Sequence, residues 1–300
     1  MKQTRLAIDI GGTFTDLAVV LGSKRVSTKV LTTPRAPEEG VLAGIDILMQ
    51  RAKLVAGDIA LVIHVLATNA IIERKGAKTA LIVTQGFRDS IEMAFENRFE
   101  QYDILMDKPA PLVPRELRFG ILERLDGRGN VLIRLDEVAV RGLAPVLEEC
   151  GVEAVAIGYM HAYLDGRHER RTRQILAELL PRAAFTLSSE VSPEIREYER
   201  WSTAVANAYV QPVMDRYLGR LAAALKAGGF GCPLLLMISG GNLTTLETAR
   251  RFPIRLVESG PAGGAILAAG LARQYGLDRV LSFDMGGTTA KICLIDGGEP

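Results

Sequence analysis

A glycine-rich pattern occurs twice in this 300-residue chain, once near each end. The first copy reads Asp9-Ile10-Gly11-Gly12-Thr13 and the second reads Asp284-Met285-Gly286-Gly287-Thr288. In each copy an apolar run comes before the acid, and a second apolar run follows the threonine. Apolar runs that flank a pair of glycines are typical of two strands joined by a tight turn. The repeat therefore predicts two β-hairpins of the same design.

The residue types in the repeat indicate phosphate binding. Glycines permit positive φ angles and let backbone N–H groups approach a phosphate closely, and the threonine adds a hydroxyl donor. An aspartate cannot stabilise a bound phosphate directly, because both groups are negatively charged. Its presence implies a cation between the two, usually Mg²⁺ with its waters. One copy alone could be an ordinary hairpin turn. Two copies, each with an acid two residues before the glycines, predict a site for ATP and Mg²⁺.

The candidate site residues follow from this interpretation. We expect Asp9 and Asp284 to be both the catalytic and the metal-binding residues. We expect the cofactor-binding residues to be Gly11, Gly12, Thr13, Thr15, Asp16, Gly286, Gly287, Thr288 and Thr289. The chain contains neither G-x-x-x-x-G-K-[ST] nor G-x-G-x-x-G, and its paired glycines lead into strands, so other nucleotide-binding loops do not account for the pattern.

The two hairpins resemble those of the superfamily that contains sugar kinases, actin and the heat-shock ATPases. This resemblance implies an α/β fold of two actin-like ATPase (ribonuclease H-like) domains, each of which supplies one β-hairpin phosphate loop to ATP in the cleft between them. The segment from Glu258 to Leu271 is similar to the helix that connects the two domains in that fold.

A narrower resemblance, to the A subunit of the hydantoinase/oxoprolinase family, covers nearly the whole chain. Besides the two hairpins, the blocks that carry it are Ala67-Thr68-Asn69-Ala70, Glu73-Arg74-Lys75-Gly76, Gly86-Phe87-Arg88-Asp89, Val113-Pro114-Arg115, Ala206-Asn207-Ala208-Tyr209 and residues 259–264. The resemblance implies ATP-dependent hydrolysis of a small cyclic amide, such as a hydantoin, 5-oxoproline or a related lactam, through phosphorylation of the amide carbonyl oxygen. It also implies a B-type partner subunit, and hence a hetero-oligomer.

Two other functions stay open at this point. The same family includes ATP-dependent ketone carboxylases, and bicarbonate-dependent ATP turnover with a ketone would favour that activity. A non-enzymatic nucleotide switch of the actin or chaperone kind belongs to another class. The blocks at residues 67–76 and 86–89 argue against the switch, because actins and chaperones lack them.

Some residues depart from the family pattern or have no assigned role. His64 precedes Ala67-Thr68-Asn69 without the His-Gly-Thr-Thr stretch common in the family, which leaves it either functional or structural. Lys291 stands where the second loop often ends with an acid, and it could face phosphate or solvent. Glu92 and Glu96 share one face of a predicted helix, where they contact a substrate or partner or are simply solvated.

Hydrophobic periodicity predicts alternating strands and helices, as in layered α/β proteins. We expect strands at residues 6–10, 16–21, 25–32, 59–66, 79–83, 118–125, 131–135, 154–160, 184–188, 234–239, 254–257, 280–284 and 290–295. We expect helices at residues 37–49, 69–75, 87–97, 136–150, 166–180, 193–226, 246–252 and 261–275. Residues 1–190 are predicted to form the N-terminal hydantoinase A/oxoprolinase domain, and residues 191–300 to begin the second. Since the sequence stops just after the second hairpin, we expect that domain to be incomplete and the 300 residues alone to bind ATP weakly.

Composition limits the partners. A formal net charge of +1 provides no global field to attract nucleic acid or an anionic membrane. The longest run of small apolar residues, 262–272, is too short to cross a bilayer, and no signal peptide is predicted. Cys150, Cys232 and Cys293 are far apart in the sequence and are expected to be free thiols. A cytoplasmic protein that acts on small molecules follows as the expectation.

Overall fold

The computed structural model describes residues 4–22, 24–33, 35–66, 71, 74–95, 100, 102–285 and 290–300. Its strands are β1 (Thr4–Ile10), β2 (Phe14–Leu21), β3 (Lys24–Leu31), β4 (Ile59–Leu66), β5 (Thr79–Thr84), β6 (Arg118–Ile121), β7 (Arg124–Leu125), β8 (Val131–Ile133), β9 (Ala154–Gly158), β10 (Ala184–Leu187), β11 (Leu234–Met237), β12 (Leu243–Thr245), β13 (Arg279–Met285) and β14 (Ala290–Asp296). Its α-helices are α1 (Pro37–Ala52), α2 (Ser90–Met93), α3 (Glu137–Glu149), α4 (Arg167–Leu179), α5 (Ser188–Val191), α6 (Glu197–Ala227), α7 (Leu246–Arg251) and α8 (Ser259–Tyr275).

The chain divides into two compact units. Unit one comprises Met1–Asn69 and Met214–Pro300, and unit two comprises Ala70–Val213. Each unit has its own sheet, and both contain helices, which confirms the predicted α/β class and is consistent with an actin-like ATPase fold. No helix among the described residues is long and apolar enough to span a membrane.

The main sheet of unit one has six strands in the order β12-β11-β4-β1-β2-β3. The pairs β1–β2 and β2–β3 are antiparallel, whereas β1–β4 and β4–β11 are parallel. Side chains alternate between buried and exposed along β1 and β2, because one face of the sheet packs against α1. Gly44 lets α1 approach closely, since a Cβ at this position would overlap the Leu17 side chain.

The main sheet of unit two has four strands, β10-β9-β5-β6, and all of them are parallel. All residues of β5 and β9 are buried, as expected for parallel strands that are covered on both faces. A two-stranded ribbon, β7–β8, flanks the predicted turn around Asp126. The Asp126 carboxylate accepts hydrogen bonds from the backbone N–H groups of Arg128 and Asn130, which fixes this turn.

Three predicted elements are wrong in part. The helix expected at 87–97 is a single turn, α2, because Ala94 adopts a positive φ of 51° that ends it; Glu96 lies outside the described residues. The strand expected at 118–125 divides into β6 and β7, which belong to different sheets. Residues 254–257 form no strand: Pro253–Leu256 is a 3₁₀ helix. Residues 69, 70, 72 and 73 of the short helix expected at 69–75 lie outside the described part of the chain.

Candidate phosphate-binding site

The first glycine pair forms the predicted turn between β1 and β2. The Gly11 N–H donates a hydrogen bond to the Phe14 carbonyl oxygen at 2.8 Å. Gly11 does not adopt a positive φ, contrary to the usual reason for glycine in such a loop. A Cβ at Gly11 would instead lie 3.0 Å from the Phe14 oxygen. A larger residue at this position would therefore crowd the Phe14 carbonyl group. Gly12 and Thr13 are exposed at the tip.

A pair of threonines supports this loop from behind. The Thr32 hydroxyl donates to the Gly11 carbonyl oxygen at 2.9 Å. Because its proton is used there, the Thr32 oxygen accepts from the Thr15 hydroxyl at 3.0 Å. Thr15 is fully buried, so its hydroxyl faces the interior of the fold. The sequence predicted that Thr15 binds the cofactor. In the structure its hydroxyl supports the loop through Thr32.

A row of charged residues crosses the exposed face of the sheet beside the loop. Asp9 on β1 lies opposite Asp16 on β2, and Asp16 lies opposite Lys29 on β3. Lys29 Nζ is 3.0 Å from Asp16 Oδ2 and lies 5.1 Å from the centroid of the Phe14 ring. Lys29 thus pairs with Asp16 and leaves Asp9 as the carboxylate next to the turn.

The second hairpin, β13–β14, repeats this register. Asp284 lies opposite Lys291, at the positions that correspond to Asp9 and Asp16 in the first hairpin. Lys291 Nζ is 3.7 Å from Glu258 Oε2, and about a third of the lysine side chain is exposed. Lys291, which could have faced phosphate or solvent, therefore has its ammonium group beside Glu258, on the strand position opposite Asp284. The predicted site residues Gly286, Gly287, Thr288 and Thr289 lie outside the described residues.

Helix α8 joins the second hairpin to the main sheet of unit one. Its first residue, Ser259, is fully buried and donates a hydrogen bond from its hydroxyl to the Leu66 carbonyl oxygen at 3.2 Å, at the end of β4. On its other turns, Ala269 and Ala272 pack against Ile295 of β14. Glu258, just before the helix, adopts a left-handed conformation with φ of 66°, which is uncommon for a residue with a Cβ.

Electrostatics connect the two hairpins within unit one. Although Asp9 lies on the exposed face of the sheet, surrounding protein atoms partly desolvate its carboxyl group, and this burial is the first cause that raises its pKa above the ordinary value. The carboxylates of Asp16 and Asp284 raise this pKa further, while Lys291 and Lys29 lower it. The acids of both predicted loops therefore act on the same carboxyl group. A cavity of about 570 Å³ lies against Asp9, Asp16 and Lys29.

His64 has a structural role. It is fully buried on β4, its Nδ1 lies 3.2 Å from the Ile8 carbonyl oxygen, and its Nε2 lies 2.7 Å from the Tyr217 hydroxyl. Nδ1 must carry the proton to donate to the carbonyl, so Nε2 accepts from the tyrosine. Burial lowers the pKa of His64 to about 4, which keeps the ring neutral.

Comparison with known families identifies the family. The model of the hydantoinase/oxoprolinase N-terminal region matches residues 5–180, and the hydantoinase/oxoprolinase model matches residues 200–300. The chain belongs to the hydantoinase/oxoprolinase family. This confirms the resemblance inferred from the sequence.

Individual relatives include enzymes with different substrates. The caprolactamase subunit alpha of Pseudomonas jessenii is 34% identical over 99% of this chain and 44% of that protein. The crystal structure of this ATP-dependent caprolactamase superposes with a TM-score of 0.83 over 97% of the chain and 43% of its own chain. The 5-oxoprolinase of Saccharomyces cerevisiae is 30% identical over 98% of the chain and 26% of the yeast protein.

A nucleotide-free acetone carboxylase has the same fold. Its structure superposes with a TM-score of 0.90 at 26% identity, over 100% of this chain and 45% of that one. The chain thus spans less than half the length of each of these relatives.

Sequence reasoning missed three residues at this site: Lys29, Thr32 and Glu258. Lys29 and Thr32 lie on or just after the third strand, outside the repeated pattern that drew attention to the loops. Alternation along β3 would have placed Lys29 on the same face as Asp16. Nothing in the sequence pattern indicated that Thr32 would contact Gly11.

Proposed function

We propose that the two hairpins bind the phosphates of ATP. The observation that carries this proposal is that charged residues of both hairpins act on the Asp9 carboxyl group beside the first glycine turn; they are Asp16, Lys29, Asp284 and Lys291. The lysines neutralise part of the negative charge, which lets an anionic phosphate chain approach carboxylates. Backbone N–H groups of the first turn, at Gly12 and Thr13, are at its exposed tip and suit a phosphate oxygen.

Mg²⁺ fits the donor set. Magnesium prefers oxygen ligands and is usually held by one or two carboxylates together with waters and substrate phosphates. The pKa of Asp9 is raised first by burial and then by the carboxylates of Asp16 and Asp284, and a divalent cation would stabilise a carboxylate in such surroundings. Asp9 and Asp284 would hold the ion, directly or through water, and its charge would offset that of the phosphates. The described residues contain no group of three or more His, Cys, Asp or Glu side chains that could hold a metal ion.

We propose that ATP activates a carbonyl oxygen of a small cyclic amide. In this reaction the amide oxygen attacks the γ-phosphorus, the bond between the γ-phosphorus and the β–γ bridging oxygen breaks, and ADP leaves. One water then adds to the activated carbon, and the C–N bond breaks as the nitrogen takes up a proton, which leaves an acyl phosphate. A second water cleaves the acyl phosphate to the carboxylate and inorganic phosphate. Because phosphoryl transfer needs mainly positioning and charge neutralisation, the two loops and their acids suit the first step. We assign the hydrolytic step to a B-type partner subunit in a hetero-oligomer.

A second candidate activity is carboxylation of a ketone. The close superposition with acetone carboxylase supports it, because that structure covers the whole of this chain. The amide reaction is favoured by the higher identity to the caprolactamase subunit alpha. A non-enzymatic nucleotide switch is the weakest candidate, since the relatives named above are enzymes.

Two further assignments are proposals. The family models stop at residue 180 and resume at residue 200, which supports a boundary near residue 190 between the N-terminal domain and the start of the second one. The three cysteines are free, which supports a reducing, cytoplasmic location.

An assay of ATP turnover tests the function. The protein is combined with its partner subunit and supplied with hydantoin, 5-oxoproline, caprolactam, or a ketone with bicarbonate. We expect ADP release to rise with one cyclic amide in proportion to the ring-opened product. ADP release that requires both ketone and bicarbonate would establish the carboxylase instead. Turnover that responds only to peptides or to self-assembly would contradict both enzymatic proposals.

A further inference from the structure

A cavity in unit two has a lining that suits a small ring. Its volume is about 470 Å³, within the range of small-molecule pockets. Its walls are mainly apolar, and three polar side chains stand among them. The lining residues are Ile91, Glu92, Ala94, Phe95, Lys108, Pro109, Ala110, Pro111 and Tyr198.

The aromatic wall is preformed. The rings of Phe95 and Tyr198 meet edge to face, with centroids 5.0 Å apart and an interplanar angle of 77°. Such an arrangement holds both rings in place without a ligand. More than half of Phe95 is exposed, so the ring offers apolar surface toward the opening. A flat or puckered ring of five to seven atoms would cover this surface.

Glu92 is held at the rim by a buried arginine. Arg118 is only 3% exposed, and its Nη1 donates to Glu92 Oε2 at 2.6 Å. Its Nε donates to the Val113 carbonyl oxygen at 3.0 Å, which fixes the guanidinium group. The Arg118 contact uses one carboxylate oxygen and leaves Oε1 able to accept a hydrogen bond. About half of the Glu92 side chain is exposed, so a ligand can reach it.

The segment from Lys108 to Pro111 forms another wall and supplies a donor. Lys108 Nζ donates to the Met93 carbonyl oxygen at 3.3 Å, which ties this wall to the end of α2. An ammonium group has three N–H donors, so two remain for a ligand. Arg74 supports the same wall through hydrogen bonds to the carbonyl oxygens of Ala110 at 2.6 Å and Pro111 at 3.4 Å.

The backbone at this cavity is strained. Ala94 has φ of 51° and ψ of −132°, a conformation that a residue with a Cβ rarely adopts. It ends α2 between Glu92 and Phe95 and turns the chain so that both side chains line the cavity. Strain of this kind is concentrated at ligand sites, and here it adds to the evidence from the cavity itself.

We propose that this cavity binds the ring of a neutral cyclic amide. The amide N–H donates to the Glu92 carboxylate, the carbonyl oxygen accepts from Lys108, and the ring methylenes pack against Phe95 and Tyr198. An acceptor and a donor in the lining of one cavity match the donor and acceptor of one amide group, whereas a ketone has no N–H to donate to Glu92. The inference rests on the proposed function for the identity of the ligand, but it assigns a separate binding site that can be tested without ATP.

The test measures lactam binding to the nucleotide-free chain by saturation-transfer NMR and calorimetry. The probes are ε-caprolactam and hydantoin, compared with N-methylcaprolactam, which lacks the N–H, and with cyclohexanone. We expect caprolactam or hydantoin to bind with a dissociation constant of about millimolar or tighter, as befits so small a ligand. N-methylcaprolactam and cyclohexanone should bind about tenfold more weakly, since each loses the hydrogen bond to a charged acceptor.

Variants locate the site. Glu92→Gln and Lys108→Met should each weaken lactam binding about fivefold or more. Glu149→Gln, on the exposed side of α3 and outside the cavity, is the matched control and should bind as the parent does. If Glu92→Gln fails to fold because Arg118 loses its charged partner, Lys108→Met and the N-methyl comparison still decide the question.

Failure of this site and failure of the proposed function give different results. Three results would each overturn the cavity assignment, whatever the result with ATP. They are equal affinity for caprolactam and N-methylcaprolactam, an unchanged affinity of the Lys108→Met variant, and no binding at a lactam concentration about ten times the expected dissociation constant. Lactam binding that responds to the variants, in a protein that does not turn over ATP, would keep the cavity and refute the ATP-dependent reaction.

Discussion

Lys291 Nζ lies 3.7 Å from Glu258 Oε2, at the hairpin position where the first repeat has Asp16. The two hairpins therefore share one register and differ in the sign of one side chain. Glu258, the residue that contacts the lysine, adopts a left-handed conformation just before α8. The ammonium group is thus held near the acids of the site by an interaction that the first hairpin does not contain.

Replacing Lys291 by glutamine should raise the pKa of Asp9 further, because Lys291 lowers it. The same change should reduce ATP turnover by about tenfold to a hundredfold, the range expected for a lost charge-assisted contact. An NMR titration of the Asp9 carboxyl and a steady-state assay measure the two effects. Lys226→Gln, an exposed change on α6, should alter neither; an unshifted Asp9 titration in the Lys291 variant would contradict the electrostatic assignment.

Asp9→Asn should abolish ATP turnover in a protein that stays folded. The raised pKa of Asp9 means that its charge is less favourable in the folded than in the unfolded state at neutral pH. Removing the charge should therefore leave the melting temperature unchanged or slightly higher. Circular dichroism melting and the turnover assay check the two parts. Full activity in the folded variant would exclude Asp9 from the site.

Thr32→Val removes the hydroxyl that joins Gly11 to Thr15. We expect a loss of about 1–3 kcal/mol of stability, because the Gly11 carbonyl and the buried Thr15 hydroxyl lose a partner. The looser loop should also raise the KM for ATP. Thr32→Ser keeps the hydroxyl and serves as the control, and urea unfolding with ATP kinetics gives both values. Equal behaviour of the valine and serine variants would show that the threonine pair does not hold the loop.

His64 should make stability depend on pH. Its folded pKa of about 4 is below the ordinary value of 6.5, so the unfolded state takes up the proton first. The contribution of the neutral His64 ring to the free energy of unfolding is fully present above about pH 6.5. It falls as the pH drops toward 4. The shift corresponds to about 3 kcal/mol. Urea unfolding from pH 7 to 4 should show a shallower decline for His64→Gln than for the parent; parallel curves would contradict the assignment.

Gly158→Ala and Gly142→Ala should have opposite effects. A Cβ at Gly158 would overlap the ring of the fully buried Trp201, so this change should cost several kcal/mol, about the range of overpacked cores. Gly142 lies inside α3 with open space around it, so alanine there should add about 0.5–1 kcal/mol. Thermal unfolding of the two variants compares them directly. A stable Gly158→Ala protein would mean that Trp201 can move.

Much of the fold was predictable because periodicity is a local signal. The alternation in β1 and β2 and the apolar runs of β5 and β9 mark their strands unambiguously. The errors occurred where tertiary context decides. The single-turn α2 ends at Ala94, a residue that favours helix. Pro253–Leu256 is a 3₁₀ helix, although the expected strand at 254–257 is mostly apolar and contains the β-branched residues Ile254 and Val257.

The candidate site was predictable to the extent that it repeats. Asp9 and Asp284 stand out because the same spacing occurs twice, and their electrostatic coupling in the structure fits that expectation. Lys29, Thr32 and Glu258 belong to no repeat. They come next to the loops only through strand pairing and the start of α8, which no local pattern specifies.

The charge difference between the hairpins has a geometrical consequence. Two copies of one backbone motif would present a ligand with two equal ends, and a chain of phosphates could then lie in either direction. With Asp16 paired to Lys29 on one side and Lys291 held by Glu258 on the other, the ends are not equal. A duplicated motif has thereby become a polar one, so the phosphate chain that we propose here would meet different side chains at its head and at its tail.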